Sequence, residues 1–150
     1  MSLSDLLTAV STQVFAAVDR NSALEAAAAL LACDPVEPAQ VLSHLIEREA
    51  LASTAIGHGI AIPHARIAGL PGPRGALLRL TTAVAFGDGE PVDLVFALAV
   101  PEHYPHQHLL LLSELAQLFS DADVREALRA APDSSSLKHL IDSPPRIGSA

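Results

Sequence analysis

The stretch Val92-Asp-Leu-Val-Phe-Ala-Leu-Ala-Val100 decides the fold class. It contains no glycine or proline and one charge, and its near-continuous apolar character, rather than strict alternation, is what burial on both faces of a sheet requires. Working upstream, Gly87-Asp-Gly-Glu-Pro91 separates it from a second apolar run, Ala76–Phe86, and the glycines permit a hairpin or tight strand link. Gly69–Gly75 (GLPGPRG), with two prolines and three glycines, reads as an exposed connection. Before it, Ser53–Arg66 (STAIGHGIAIPHAR) reads as loop, brief strand, loop. The spacing of Val41, Leu42, Leu45 and Ile46 predicts a helix over Pro38–Glu49. Ser22 and Glu25 have the spacing of a capping box at the start of another helix, running to about Ala32, and Gln13–Val18 reads as a strand. Downstream, Pro105 precedes a helix over His106–Phe119 with Leu109, Leu110, Leu112, Leu115, Leu118 and Phe119 on its apolar face. Shorter helices are expected at Val124–Ala131 and Ser136–Ile141, each near an Asp or Ser cap. Together these predict an α/β fold, a three-layer α/β/α sandwich with a mixed, mainly parallel sheet flanked by helices. One domain is expected over residues 1–142, with 143–150 a flexible tail.

Composition narrows function. The 150 residues carry 9 Lys+Arg against 17 Asp+Glu, a net charge of −8 that argues against nucleic-acid or anionic-membrane binding. Aromatic residues make up 3%, too few for a base-stacking platform. The single Cys33 excludes an internal disulfide framework and a Cys-based zinc site, and fits a reducing compartment. With no basic n-region at the N-terminus and no apolar run long enough to span a bilayer, a cytoplasmic protein is expected.

No P-loop, GxSxG elbow, HExxH pair or EF-hand loop is present, and Gly57-His58-Gly59 lacks the third glycine of a dinucleotide fingerprint. No cofactor is expected. Chemistry therefore falls to seven histidines, at 44, 58, 64, 103, 106, 108 and 139. His103, His106 and His108 crowd one segment, which keeps open a metal-dependent hydrolase, although Pro105 interrupts the ligand spacing. His64 is more informative, because Ile60–Pro63 delivers its imidazole at the end of a short buried strand, where α/β proteins place their sites. His44 and His139 read as surface residues, and Glu49 and Asp93 as salt-bridge or capping residues rather than an acid/base pair.

The run Arg48-Glu-Ala-Leu-Ala-Ser-Thr-Ala-Ile-Gly-His-Gly-Ile-Ala-Ile-Pro-His64 resembles the IIA domain of the fructose/mannitol class of the bacterial phosphoenolpyruvate:sugar phosphotransferase system, above all its nitrogen-regulatory members. Asp88–Leu94, Phe96–Pro101 and the leucine-spaced His108–Leu115 match the same family in order, so the likeness covers essentially residues 3–141. It implies a phosphotransferase component in which His64 accepts a phosphoryl group from an HPr-like phosphohistidine carrier, giving a tele-phosphohistidine. The residues alone leave the choice of ring nitrogen open, since it depends on what the other nitrogen bonds. The resemblance further implies that His108 assists the transfer and that Arg48 stabilises the phosphoryl group. A His108 in the first turn of its helix would sit where the helix end favours anions. An Arg48 guanidinium would offer a fork to phosphoryl oxygens, although a cation at a helix C-terminus is favourable without any such role.

Thr54 and Ser53 are candidates for hydroxyl bonds to the phosphoryl group, but such residues before a turn also bond local backbone. Two departures touch the rim: His58 stands where asparagine is common, and Ala65-Arg66 where Gly-Lys is frequent. Leu70–Pro73 and the apolar rim of His64 are expected to dock the carrier. Onward delivery goes to a IIB domain or into regulation of protein targets, the nitrogen-regulatory role being favoured. The alternatives are a sugar-specific IIA component and a binding module of the same fold that transfers nothing.

Overall fold

The computed structural model describes residues 2–87, 89–103 and 105–142, with 105–109 described by their backbone alone. The elements are α1 (Leu3–Thr8), β1 (Ser11–Phe15), α2 (Arg20–Leu31), α3 (Pro38–Leu51), β2 (Ala55–Gly57), β3 (Ile60–Ala61), β4 (His64–Ile67), β5 (Arg74–Val84), β6 (Val92–Pro101), α4 (Pro105–Phe119), α5 (Ala122–Ala130) and α6 (Ser134–Asp142). Six strands form one sheet in the order β1-β5-β6-β3-β2, with β4 also paired to β6. The β1–β5, β3–β6 and β4–β6 pairs are parallel, while β5–β6 and β2–β3 are antiparallel. The sheet is thus mixed, with the hairpin-like β5–β6 link at its centre.

As its composition requires, β6 is buried on both faces. Val95, Ala97 and Ala99 join the core beneath α2 and α3, while Leu94, Phe96, Leu98 and Val100 join the core beneath α1, α4, α5 and α6. Two helical layers enclose one sheet, which is the three-layer arrangement expected from the sequence.

Several boundaries differ from the sequence reading. The capping residue of α2 is Asp19, whose carboxylate accepts from Ser22 N while Ser22 Oγ accepts from Asp19 N, so Ser22 occupies the third helical position instead of the cap. The first strand ends at Phe15, three residues before the expected Val18, which is exposed. The short α1 carries no long apolar period to mark it in the sequence; a Ser2/Asp5 capping box starts it and burial of Leu6 and Leu7 holds it. In α4 the buried seam is Leu111, Leu115, Leu118 and Phe119, one helical face, and Leu110 is turned out to solvent. The connection after Gly69 is not an exposed loop throughout: Leu70 and Pro73 are buried and Arg74 already opens β5. Leu70 lies in the core under α2 and α3, which removes it from any docking surface.

Candidate functional site

The site grows from an interruption in the parallel edge of β6. Ile60 and Ala61 of β3 pair with Leu94 and Val95, and the ladder resumes only at His64, opposite Leu98. Between them Ile62 turns its N–H to Thr54 O at 3.1 Å, and Pro63 keeps its carbonyl in reach of Leu98 N at 2.9 Å. Proline cannot donate to a ladder, so a short break at this point is the expected consequence. His64 is consequently the first residue of β4 rather than part of a loop, half-buried, with Ala65 and Ile67 packed into the core on the opposite face.

Both ring nitrogens of His64 are engaged. Nδ1 lies 2.8 Å from Ile62 O. A carbonyl only accepts, so Nδ1 carries the proton and Nε2 the lone pair. Arg48 Nε donates toward that lone pair at 3.3 Å, while Arg48 Nη1 donates to Ala52 O at 2.8 Å, closing the C-terminal turn of α3. The arginine therefore closes the helix end and also reaches the imidazole. Burial lowers the His64 pKa below the usual 6.5; the Ile62 bond opposes this, and the Arg48 and Arg66 guanidiniums add to the lowering. Near neutral pH the ring is thus a neutral imidazole with its nucleophilic lone pair on Nε2.

Two grooves meet at His64. One, of about 420 Å³, is lined by His44, Glu47, Arg48, Leu51, Ala65, Arg66 and Leu112 together with His64. The other, of about 230 Å³, shares Arg48, His64 and Leu112 and continues along Ser53, Thr54, Ile56 and Ile62. His44 belongs to the first because it stands four residues before Arg48, one turn along the same face of α3. That spacing was the signal available in the sequence for a residue otherwise read as plain surface. Leu51 and Ile56, exposed at 83% and 44%, give the grooves an apolar rim.

The remaining candidates divide. The Thr54 hydroxyl and backbone N–H both donate to the buried carboxylate of Glu49, and Thr54 still lines the groove beside His64. Ser53 Oγ donates to Phe86 O at 2.5 Å and accepts from Ala55 N at 3.1 Å, so its hydroxyl ties its own turn to the backbone after β5. Asp93 forms a salt bridge with Arg129, as anticipated, at 2.9 Å. Arg129 Nη2 also donates to His58 O and so clamps the Gly57-His58-Gly59 turn, all three residues of which have positive φ (95°, 56° and 76°). Asparagine and histidine both tolerate that region, which gives a backbone reason for His58 at a place where asparagine is common. His108 lies in the first turn of α4, whose backbone runs from Pro105; its side chain and that of His106 lie outside the described residues, as does the proposed tail 143–150. Among the described residues no three His, Cys, Asp or Glu side chains gather as a metal site, and His103 makes only an exposed contact with Glu102.

A family model described as phosphoenolpyruvate-dependent sugar phosphotransferase system, EIIA 2, matches residues 7–143. The chain belongs to this EIIA 2 family. Such IIA domains are phosphotransfer components that work with phosphocarriers and IIB domains. A nitrogen regulatory protein of Pseudomonas aeruginosa is 45% identical over 103 residues, 67% of each chain. A fructose-specific EIIA component of Haloferax volcanii is 34% identical over 102 residues, 67% of this chain and 66% of that one. The crystal structure of nitrogen regulatory protein IIA-Ntr from Neisseria meningitidis superposes with a TM-score of 0.81 at 33% identity, covering 93% of this chain and 98% of that one. This IIA domain thus has the fold and the phosphocarrier role in the phosphotransferase system that its site geometry suits. No helix among the described residues is long and apolar enough to cross a membrane.

Proposed function

We propose that this IIA domain accepts a phosphoryl group on Nε2 of His64, the tele nitrogen, from a phosphohistidine HPr-like carrier in the cytoplasm. The observation that carries the reading is the pair of bonds on one ring, at a residue where two grooves meet: Ile62 O holds the proton on Nδ1, and Arg48 Nε donates to the lone pair on Nε2. In the transfer, Nε2 forms a bond to phosphorus while the donor's P–N bond breaks and its electron pair returns to the donor ring. The proton stays on Nδ1, where Ile62 O shares the positive charge the ring acquires. Arg48, already on Nε2, moves its N–H donors onto the phosphoryl oxygens. His108 assists from the start of α4; Leu112, one turn further along that helix, lines both grooves. Thr54 and Ser53 serve the group chiefly through the backbone they fix.

The P. aeruginosa likeness favours a nitrogen-regulatory role, in which the phosphorylation state of His64 sets which protein targets bind. The H. volcanii likeness supports a second reading, a sugar-specific IIA that hands the group to a IIB domain. The test is intact-mass analysis after incubation with phosphoenolpyruvate, enzyme I and an HPr-like carrier. An acid-labile gain of one phosphoryl group, absent in His64→Ala and slowed in His108→Ala, is expected. Unchanged labelling of His64→Ala would overturn the assignment.

A further inference from the structure

Glu49 is 3% exposed at the last turn of α3, and among the described residues no cation pairs with its carboxylate. Burying a carboxylate is costly unless hydrogen bonds replace its water. Here both replacements come from one residue: Thr54 N donates to Oε2 at 3.2 Å and the Thr54 hydroxyl donates to Oε1. Two bonds from successive directions fix Thr54, and its carbonyl in turn accepts Ile62 N–H at 3.1 Å. The next peptide group is the one whose carbonyl accepts His64 Nδ1–H at 2.8 Å. On its far side the Pro63 ring closes that peptide, and Pro63 O, on the following peptide, accepts from Leu98 N.

We propose that Glu49 is a positioning residue for His64: through Thr54 and the Ile62 peptide it holds the carbonyl that keeps the imidazole proton on Nδ1. Successive residues at the end of one helix then govern the two nitrogens of one ring, Arg48 directly on Nε2 and Glu49 through backbone on Nδ1. The Ile62 peptide is available for this because Gly59 O and Pro63 O are the carbonyls that accept from β6, whereas Ile62 N–H faces Thr54 on the other edge. The inference rests on His64 being the phosphoryl acceptor, but the ring state it describes exists in the unphosphorylated protein.

The experiment uses the full chain labelled with 15N-histidine and reads the His64 tautomer by long-range 1H–15N correlation, beside the rate of phosphoryl acceptance from the HPr-like carrier. The variants are Glu49→Ala, Glu49→Gln, Thr54→Val and Thr54→Ser. Wild type shows a single Nδ1–H tautomer. Glu49→Ala and Thr54→Val acquire an Nε2–H population and accept the phosphoryl group more slowly, by up to about 10²-fold, the scale of loss that ångström misplacement produces. Glu49→Gln and Thr54→Ser, which keep an acceptor and a hydroxyl in place, retain the wild-type signature and rate. An Nε2–H tautomer in wild type overturns the proposal. So does an unchanged tautomer in Glu49→Ala and Thr54→Val, whether or not the rate falls, because the effect would then bypass the ring. If Glu49→Ala does not fold, Thr54→Val decides on the same readouts. Failure of wild type to take up any phosphoryl group would refute the acceptor assignment instead, while the tautomer comparison still decides the role of Glu49.

Discussion

Replacing Arg48 separates its two tasks by size. Its Nη1 bond to Ala52 O is exposed and contributes about 1 kcal/mol. Its charge at the C-terminus of α3 adds about 0.3–1 kcal/mol. Arg48→Ala should therefore cost about 1–2 kcal/mol, which a domain of ordinary stability, about 5–15 kcal/mol, absorbs with well over 99% of molecules still folded. Loss of one preorganised N–H donor to a developing anion typically slows a reaction by about 10²–10³-fold. The rate loss, if it appears, is thus far larger than unfolding can supply. Arg48→Lys keeps the helix-end charge but cannot hold Ala52 O and the ring nitrogen with one planar fork. It should recover stability to within about 0.5 kcal/mol of wild type while transfer stays about tenfold slow. Urea unfolding gives the first quantity and an intact-mass time course with the HPr-like carrier the second. If Arg48→Ala loses the stability but transfers within about twofold of wild type, the residue is a helix-end cation and nothing more.

The depressed His64 pKa predicts that phosphoryl acceptance is flat from alkaline pH down through 6.5 and falls only below it; Arg66→Ala, which removes one of the lowering charges, moves that decline upward, as a pH–rate profile would record. The sign for stability is the same: below 6.5 the unfolded imidazole binds a proton that the native one resists. Stability read by urea midpoints therefore declines as pH drops through that window, and levels once the native ring is protonated. At Gly59, φ is +76° and an added Cβ would lie 2.7 Å from Arg129 Nη2, so Gly59→Ala should cost about 1–3 kcal/mol in chemical denaturation and break the clamp on the His58 turn. Leu51→Glu, at an 83% exposed position on the groove rim, should raise the KM for the carrier several-fold while unfolding stays within about 0.5 kcal/mol of wild type; an unchanged KM removes Leu51 from the docking surface.

The sequence was most legible where burial is symmetric or absent. Val92–Val100 could only be a central strand, and His64 stood out because a proline and a short apolar run delivered it. What stayed hidden depends on partners distant in the chain. The pairing of β4 with β6 joins residues more than thirty positions apart and leaves no local period. A six-residue α1 is held by packing under α4 and α6, not by propensity. Glu49 looked like a cap or surface ion-pair residue, since a carboxylate beside an arginine at a helix end usually is one. Only the fold shows that it turns inward to Thr54 while its neighbour turns outward to the histidine. Asp19 and Ser22 make the reciprocal bonds that Ser22 and Glu25 have the spacing to make, and spacing cannot choose between two overlapping boxes.

The charge distribution adds a constraint that neither the strands nor the ring supplies. The chain carries −8 overall, yet the groove at His64 gathers Arg48, Arg66 and His44 against Glu47. At physiological ionic strength fields are screened within about 8 Å, so a phosphoryl group at Nε2 feels the nearby guanidiniums rather than the distant carboxylates. A free phosphate-bearing anion approaching from solution meets the net negative surface first and gains nothing until it is already inside. A protein that carries the phosphoryl group and lays basic residues against this surface gains from it on close approach, and the group then passes to the cations of the groove. An acidic surface around a cationic groove therefore favours delivery of the phosphoryl group by a protein over its capture as a free anion.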